Sequence, residues 1–251
     1  KNIDTYALAN KNVIKVSAPG VEKIQNEAFI FCTALMEFHA PLVKKIEWKA
    51  FHHCTSLKTV YAPRVKEIGE EAFWRATLLE TVEFPQVLKI ERLAFELCDT
   101  IEEFNAPLLK SIGRQAFAWC ESLQYFSAPQ VRYIGEGAFD KCKLLKTVEF
   151  PQILEIEYRA FAMCSKLEEF DAPLLKSIDR YAFAACNSLQ YFSAPQAEHI
   201  KVDAFLDCHK LQQITISENT KVEKGAIPEN TDVIFIEDLS PTLVDINGYT
   251  F

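Results

Sequence analysis

Eight cysteines, five histidines and thirty-five carboxylates are the side chains of this sequence with the means to do chemistry. His52, His53 and Cys54 are adjacent and form the one cluster with the residue types of a metal or nucleophilic site. Neighbours on an extended or single-turn segment point different ways, so the trio reads as two loop histidines beside a core cysteine. His39, His199 and His209 stand apart, with no partner at ligand spacing. No Ser-His-Asp order, glycine-rich phosphate loop or His-Glu-x-x-His pattern occurs. Adjacent acids such as Glu102-Glu103 and Glu168-Glu169 have the composition of a hydrolytic pair. That chemistry needs a pocket in which two environments separate the pKa values. An open face supplies neither, and the bland reading of these acids is a solvated surface.

The cysteines would suggest a disulfide framework if their spacing were irregular. Instead Cys32, Cys54, Cys98, Cys120, Cys142, Cys164, Cys186 and Cys208 all fall on one position of a 22-residue register, whose remaining copy is Ala76. A position that accepts cysteine or alanine asks for a small apolar group. Thiols in a column have parallel Cβ bonds and cannot converge on zinc as four tetrahedral ligands must. They read as buried structural thiols, with no metal and no cofactor implied.

The same register organises the whole chain. Nine prolines, Pro19 to Pro195, stand 22 residues apart without a slip, and Phe29 to Phe205 form a second ladder at that period. A fixed short period means stacked units that touch mainly their neighbours. One unit reads Cys-x-x-Leu-x-x-Phe-x-Ala-Pro-x-Val-x-x-Ile-x-x-x-Ala-Phe-x-x-Cys, as from Cys120 to Cys142, and its fixed positions supply the core. The Phe-x-Ala alternation before each proline predicts a half-buried strand, which the proline ends by removing an amide donor. Val-x-x-Ile predicts a second, shorter extended segment on the opposite wall. Ala-Phe-x-x-Cys has the spacing of a 3₁₀ or single helical turn. The glycines Gly69, Gly113 and Gly135 share one turn position after the isoleucine. The expected fold is a solenoid with a parallel β-sheet on one wall and short extended segments and helical turns on the other.

One domain is expected: a degenerate N-terminal cap at 1–10, nine repeats over 11–216, a degenerate repeat at 217–238 and a C-terminal tail at 239–251 that folds over the last coil or trails as an edge strand. A longer period is also present. Phe84-Pro85-Gln86 recurs as Phe150-Pro151-Gln152, and Ala106-Pro107-Leu108-Leu109 recurs from Ala172, each 66 residues on. This reads as growth by copying blocks of three units.

The formal charge of −8 argues against a nucleic-acid-binding surface, which needs clustered Lys and Arg. No apolar run approaches the roughly 20 residues of a membrane span, so membrane insertion is not expected. A chain that opens at Lys1 reads as a processed or truncated product, and its lack of a leader says nothing about location.

The combination Ile-x-x-x-Ala-Phe-x-x-Cys-x-x-Leu-x-x-Phe/Val-x-x-Pro resembles the BspA-type leucine-rich repeats, a class typified by bacterial surface proteins. The resemblance implies a curved solenoid of parallel strands, secreted or displayed on a cell surface, that binds proteins or mediates adhesion. It carries over no catalytic residue.

The face of the first strand is where such a module is expected to bind. Its two outward columns carry Tyr61, Glu83, Glu149 and Asp171, and Glu103, Tyr125, Glu169 and Tyr191. Tyrosines give contact area at low entropic cost, and carboxylates favour a basic protein partner, with a host or extracellular-matrix protein as the expected kind. No oligomeric contact is indicated, so a monomer is favoured. Two other readings compete. Lys23, Lys44, Lys45, Lys66, Lys89, Lys110, Arg132 and Lys176 flank the isoleucine column and could bind glycans or other anions; or the array is a spacer for other domains. Trp48 and Trp74 occupy positions that are polar or variable elsewhere, as exposed anchors or as partly buried loop residues. An enzyme could arise only from residues that break the repeat, chiefly after Asp238.

Overall fold

The computed structural model describes residues 1–237, so the expected tail at 239–251 lies outside the described residues. Successive 22-residue coils stack so that each fixed apolar position meets its own copy one coil on. Phe29, Phe51, Phe73 and their successors to Phe205 stack with ring centroids 5.0–5.6 Å apart and planes within 11° of parallel. That interval is close to the spacing of hydrogen-bonded strands, so backbone ladder and aromatic ladder share one pitch. No helix of the described residues is long and apolar enough to cross a membrane.

Two walls are parallel sheets. On the first, three-residue strands such as Glu37–His39, Thr59–Tyr61 and Glu103–Asn105 bury their central residue and expose the flanking two. On the second, two-residue strands from Asn2–Ile3 to Lys221–Val222 form one unbroken sheet of 11 strands in chain order, with isoleucine opposite isoleucine.

The expected helical turn takes a different form. In the stretch ending at Cys32, the N–H groups of Ala28, Ile30 and Cys32 close turns onto carbonyls three residues back, at 3.0–3.4 Å. The intervening N–H groups of Phe29 and Phe31 instead donate to Ala50 and His52 of the next coil, at 2.8 and 2.9 Å. A helix would consume every N–H within the segment; here every second one ties two coils together.

The conformation that turns those amides along the axis has φ > 0, and it recurs at the residue before each Ala-Phe pair and at the residue before each cysteine position. Nineteen non-glycine residues of those described adopt it, among them Glu27, Phe31, Lys49 and Met163, and none of the nineteen is β-branched. Left-handed φ costs a residue with a Cβ about 1–2 kcal/mol, and a second branch at Cβ makes it worse. Met163, exposed and at φ 61°, tests this. Met163→Ile should lower stability by about 1 kcal/mol or more and Met163→Gly should raise it by about 0.5–1 kcal/mol, net of glycine's extra unfolded-state entropy. Chemical denaturation of the two variants beside the parent gives the order directly.

The first wall, unlike the second, is not continuous. Its strands fall into sheets of four, three and four, broken between Thr81–Glu83 and Glu103–Asn105 and again between Thr147–Glu149 and Glu169–Asp171. Elsewhere one backbone bond repeats from coil to coil: Lys58 donates to Met36, Glu80 to Lys58, Gln124 to Glu102, Lys146 to Gln124, all at 2.8–3.0 Å. Its copies from Glu102 to Glu80 and from Glu168 to Lys146 are missing. Both openings follow a coil in which the residue before proline is phenylalanine, Phe84 or Phe150, where most coils have alanine. The two rings are buried and tilt at 37–56° to the stacked phenylalanines around them, with centroids 5.7–6.3 Å apart. A ring in a layer shaped for a methyl group holds the adjoining coils apart on that side.

Candidate functional site

The outward columns of the first wall follow the expected register. Tyr61 lies opposite Glu83, Ser127 opposite both Asn105 and Glu149, Glu103 opposite Tyr125, and Glu169 opposite Tyr191. Surface depressions sort the candidate residues into groups. Glu83, Glu103 and Tyr125 come together around a depression of about 410 Å³ at the first opening, floored by Phe84, Pro85 and Pro107. Beside it, Glu80, Glu102 and Glu103 line a second depression of about 450 Å³. Glu169, Asp171 and Tyr191 share a smaller one of about 150 Å³ with Gln213 and Thr215, on the unbroken sheet beyond the second opening. Two candidates stand outside these groups. Tyr61 stacks on His39, centroids 4.7 Å apart, and Glu149 accepts a hydrogen bond from Ser127 Oγ at 2.7 Å.

The charge balance of the two walls differs in a way the columns alone did not reveal. On the second wall the lysines are answered by acids on the same or a neighbouring coil: Lys23 with Glu47 at 2.6 Å, Lys44 with Glu22 at 2.6 Å, Lys45 with Glu67 at 2.9 Å, Lys89 with Glu91 at 2.5 Å and Lys176 with Glu198 at 3.1 Å. Such exposed pairs add little stability, but they cancel most of the positive field that an anion would need. Lys66, Lys110 and Arg132 lie outside these pairs. On the first wall Glu37 pairs with Lys15 at 2.7 Å. Among the described residues, no basic side chain comes within ion-pair distance of Glu83, Glu102, Glu103, Glu149, Glu168, Glu169 or Asp171.

The cysteine column is buried throughout, as one small apolar position requires. Each thiol also donates to a carbonyl of the preceding coil, Cys54 to Phe29 at 3.1 Å and Cys142 to Phe117 at 3.1 Å, a role that Ala76 cannot fill. Burial pushes the thiols of Cys98, Cys142, Cys164 and Cys186 well above their ordinary range, which keeps them unreactive.

The His52-His53-Cys54 trio departs from the loop reading at one residue. His52 is only 8% exposed and stacks on Trp74 with centroids 4.6 Å apart. His53 lies against Phe31, centroids 5.0 Å apart. The Nδ1 of His52 is buried without a hydrogen-bond partner, 3.4 Å from Glu71 Oε2. Burial, then the charges of Lys49, His53 and Arg75, lower its pKa to about 4. Trp74 Nε1 donates to Glu96 Oε2 at 2.5 Å, whereas Trp48 remains 38% exposed. Among the described residues no three His, Cys, Asp or Glu side chains converge on a point that could hold a metal ion.

Comparison with known proteins places this architecture. The family model described as the BspA type leucine rich repeat region matches residues 1–124 and 110–233, in six copies. No curated protein matches significantly. Among solved structures, the leucine rich repeat protein of T. pallidum, TpLRR, is 29% identical with a TM-score of 0.54, over 59% of this chain and 72% of that one. The pneumococcal vaccine antigen PcpA is 18% identical with a TM-score of 0.54, over 92% of this chain and 70% of that one, a likeness of fold alone.

Proposed function

The chain belongs to the BspA-type leucine-rich repeat family, and from that premise we propose that it is a non-enzymatic protein-binding or adhesion module, secreted or carried at a cell surface, which engages a basic protein through the face of its first wall. The observation that carries this reading is the unneutralised charge of that face. Seven carboxylates stand there with no cation among the described residues to pair them, beside the exposed tyrosines Tyr61 and Tyr191. Carboxylates held in one plane speed the approach of a basic partner and reject acidic ones, while the rings supply contact area. Anion or glycan binding by the second wall is the weaker reading, because five of its eight basic residues named above already pair with acids.

The test uses purified extracellular-matrix and serum proteins, basic and acidic, passed over the immobilised chain. Basic proteins should be retained, and replacing Glu83, Glu103, Glu149, Glu169 and Asp171 together with lysine should reduce that retention at least about tenfold. Unchanged retention would move the site off this face. A heparin column run beside it should release the parent chain early in a salt gradient, and late release would restore the second wall as the binding surface.

A further inference from the structure

The geometry points to the two openings of the first wall as paired sockets for basic side chains of one extended partner segment, arginine or lysine at positions i and i+4. This deepens the reading above and rests on it. Three features of the openings specify the occupant. First, the carbonyls of Glu80 and Lys146, whose counterparts in neighbouring coils accept a backbone N–H from the next coil, have no such donor. Arg and Lys are donors without acceptor capacity, and a guanidinium presents several N–H groups in one plane. Second, the depressions at the first opening are bordered by Glu83, Glu102 and Glu103, and the strands flanking the second opening carry Glu149 on one side and Glu169 and Asp171 on the other, so a cation at either opening has carboxylates beside it. Third, among the described residues no basic side chain lies within ion-pair distance of these carboxylates, so no cation of the described chain occupies either socket.

The spacing fixes the pattern. The openings are three coils apart, about 15 Å at strand spacing. An extended segment laid along the solenoid axis advances roughly 3.3 Å per residue, and its alternate side chains face the same way. Residues i and i+4 therefore face the wall together, about 13 Å apart, and long basic side chains make up the difference. Residues i and i+3 point to opposite sides.

The sockets are tested with fluorescein-labelled heptapeptides of serine and threonine, one with arginines at the second and sixth positions, the other with arginines at the second and fifth. Fluorescence anisotropy should show the first binding at least about tenfold more tightly. The variant Val82→Phe/Phe84→Ala restores the regular Phe-x-Ala pattern, closes the first opening and leaves every carboxylate in place. It should lose about tenfold in affinity for the first peptide while still retaining basic proteins. Glu83→Gln/Glu103→Gln, at exposed positions that leave the core untouched, should lose affinity to a similar degree. Equal affinity for both peptides, or undiminished affinity in both variants, would overturn the sockets and leave the charged face standing. Failure of basic proteins and both peptides alike to bind would remove the face as well.

Discussion

Phe117→Ala is expected to lower the unfolding free energy by about 3–5 kcal/mol and to divide one unfolding transition into two. Phe117 is fully buried and stacks between Phe95 and Phe139, at 5.0 and 5.6 Å. It also meets Phe104 and Phe126 edge-on, at 4.9 and 5.0 Å. Alanine removes the transfer energy of a ring, leaves a cavity that stacked coils cannot collapse without breaking their backbone bonds, and forfeits four aromatic contacts. Because each coil is held mainly by its neighbours, a weak coil at the centre uncouples the halves on either side. Phe205→Ala is the control. Phe205 touches rings on one side only, Phe183 and Phe192, so its loss should cost roughly half as much and fray the end without splitting the transition. Urea denaturation followed by fluorescence and by hydrogen exchange separates the two outcomes, and a single transition for Phe117→Ala with a cost near that of Phe205→Ala would contradict the stacked-coil account.

Acidification should destabilise the second to fourth coils between pH 6.5 and about pH 4. In the unfolded chain His52 takes up its proton near 6.5, whereas in the fold its pKa is about 4. Between those values the unfolded state holds more protons, so stability falls as pH falls, by about 1.4 kcal/mol per unit and roughly 3 kcal/mol in all. Above pH 6.5 the contribution is fully present. Glu96 works in the opposite direction, since burial first of all raises its pKa and the folded state takes up that proton more readily. The effect of His52 is therefore read as a difference. His52→Phe, which keeps a ring against Trp74, should flatten the pH dependence over that window, and an unchanged slope would place the proton uptake elsewhere.

Much of this molecule was legible in the sequence because a stack of equal coils is nearly one-dimensional: position in the register determines position in space. The isoleucine, phenylalanine and cysteine columns, both sheets and the outward columns that carry Glu83, Glu103 and Tyr125 all follow from counting to 22. What escaped was set by contacts between coils. Glu27, Lys49 and Glu71 adopt left-handed φ because the coil beyond needs their amides turned toward it; Gly137 is one glycine in a column otherwise filled by larger residues, too sparse a signal to announce the conformation. The pairing of Lys23 with Glu47 crosses from one coil to another and is invisible within a unit. Phe84 and Phe150 were in plain view, but as marks of block copying; that a ring before proline parts the sheet follows only from the alanine it replaces.

The 66-residue period then acquires a meaning beyond ancestry. An in-frame duplication of one three-coil block leaves every core column in phase and inserts one more Phe-Pro coil, hence one more opening at the same interval. If the openings are the sockets proposed above, gene lengthening in this fold raises valence in whole steps, and a longer sibling would grip a longer ligand without inventing a single new contact.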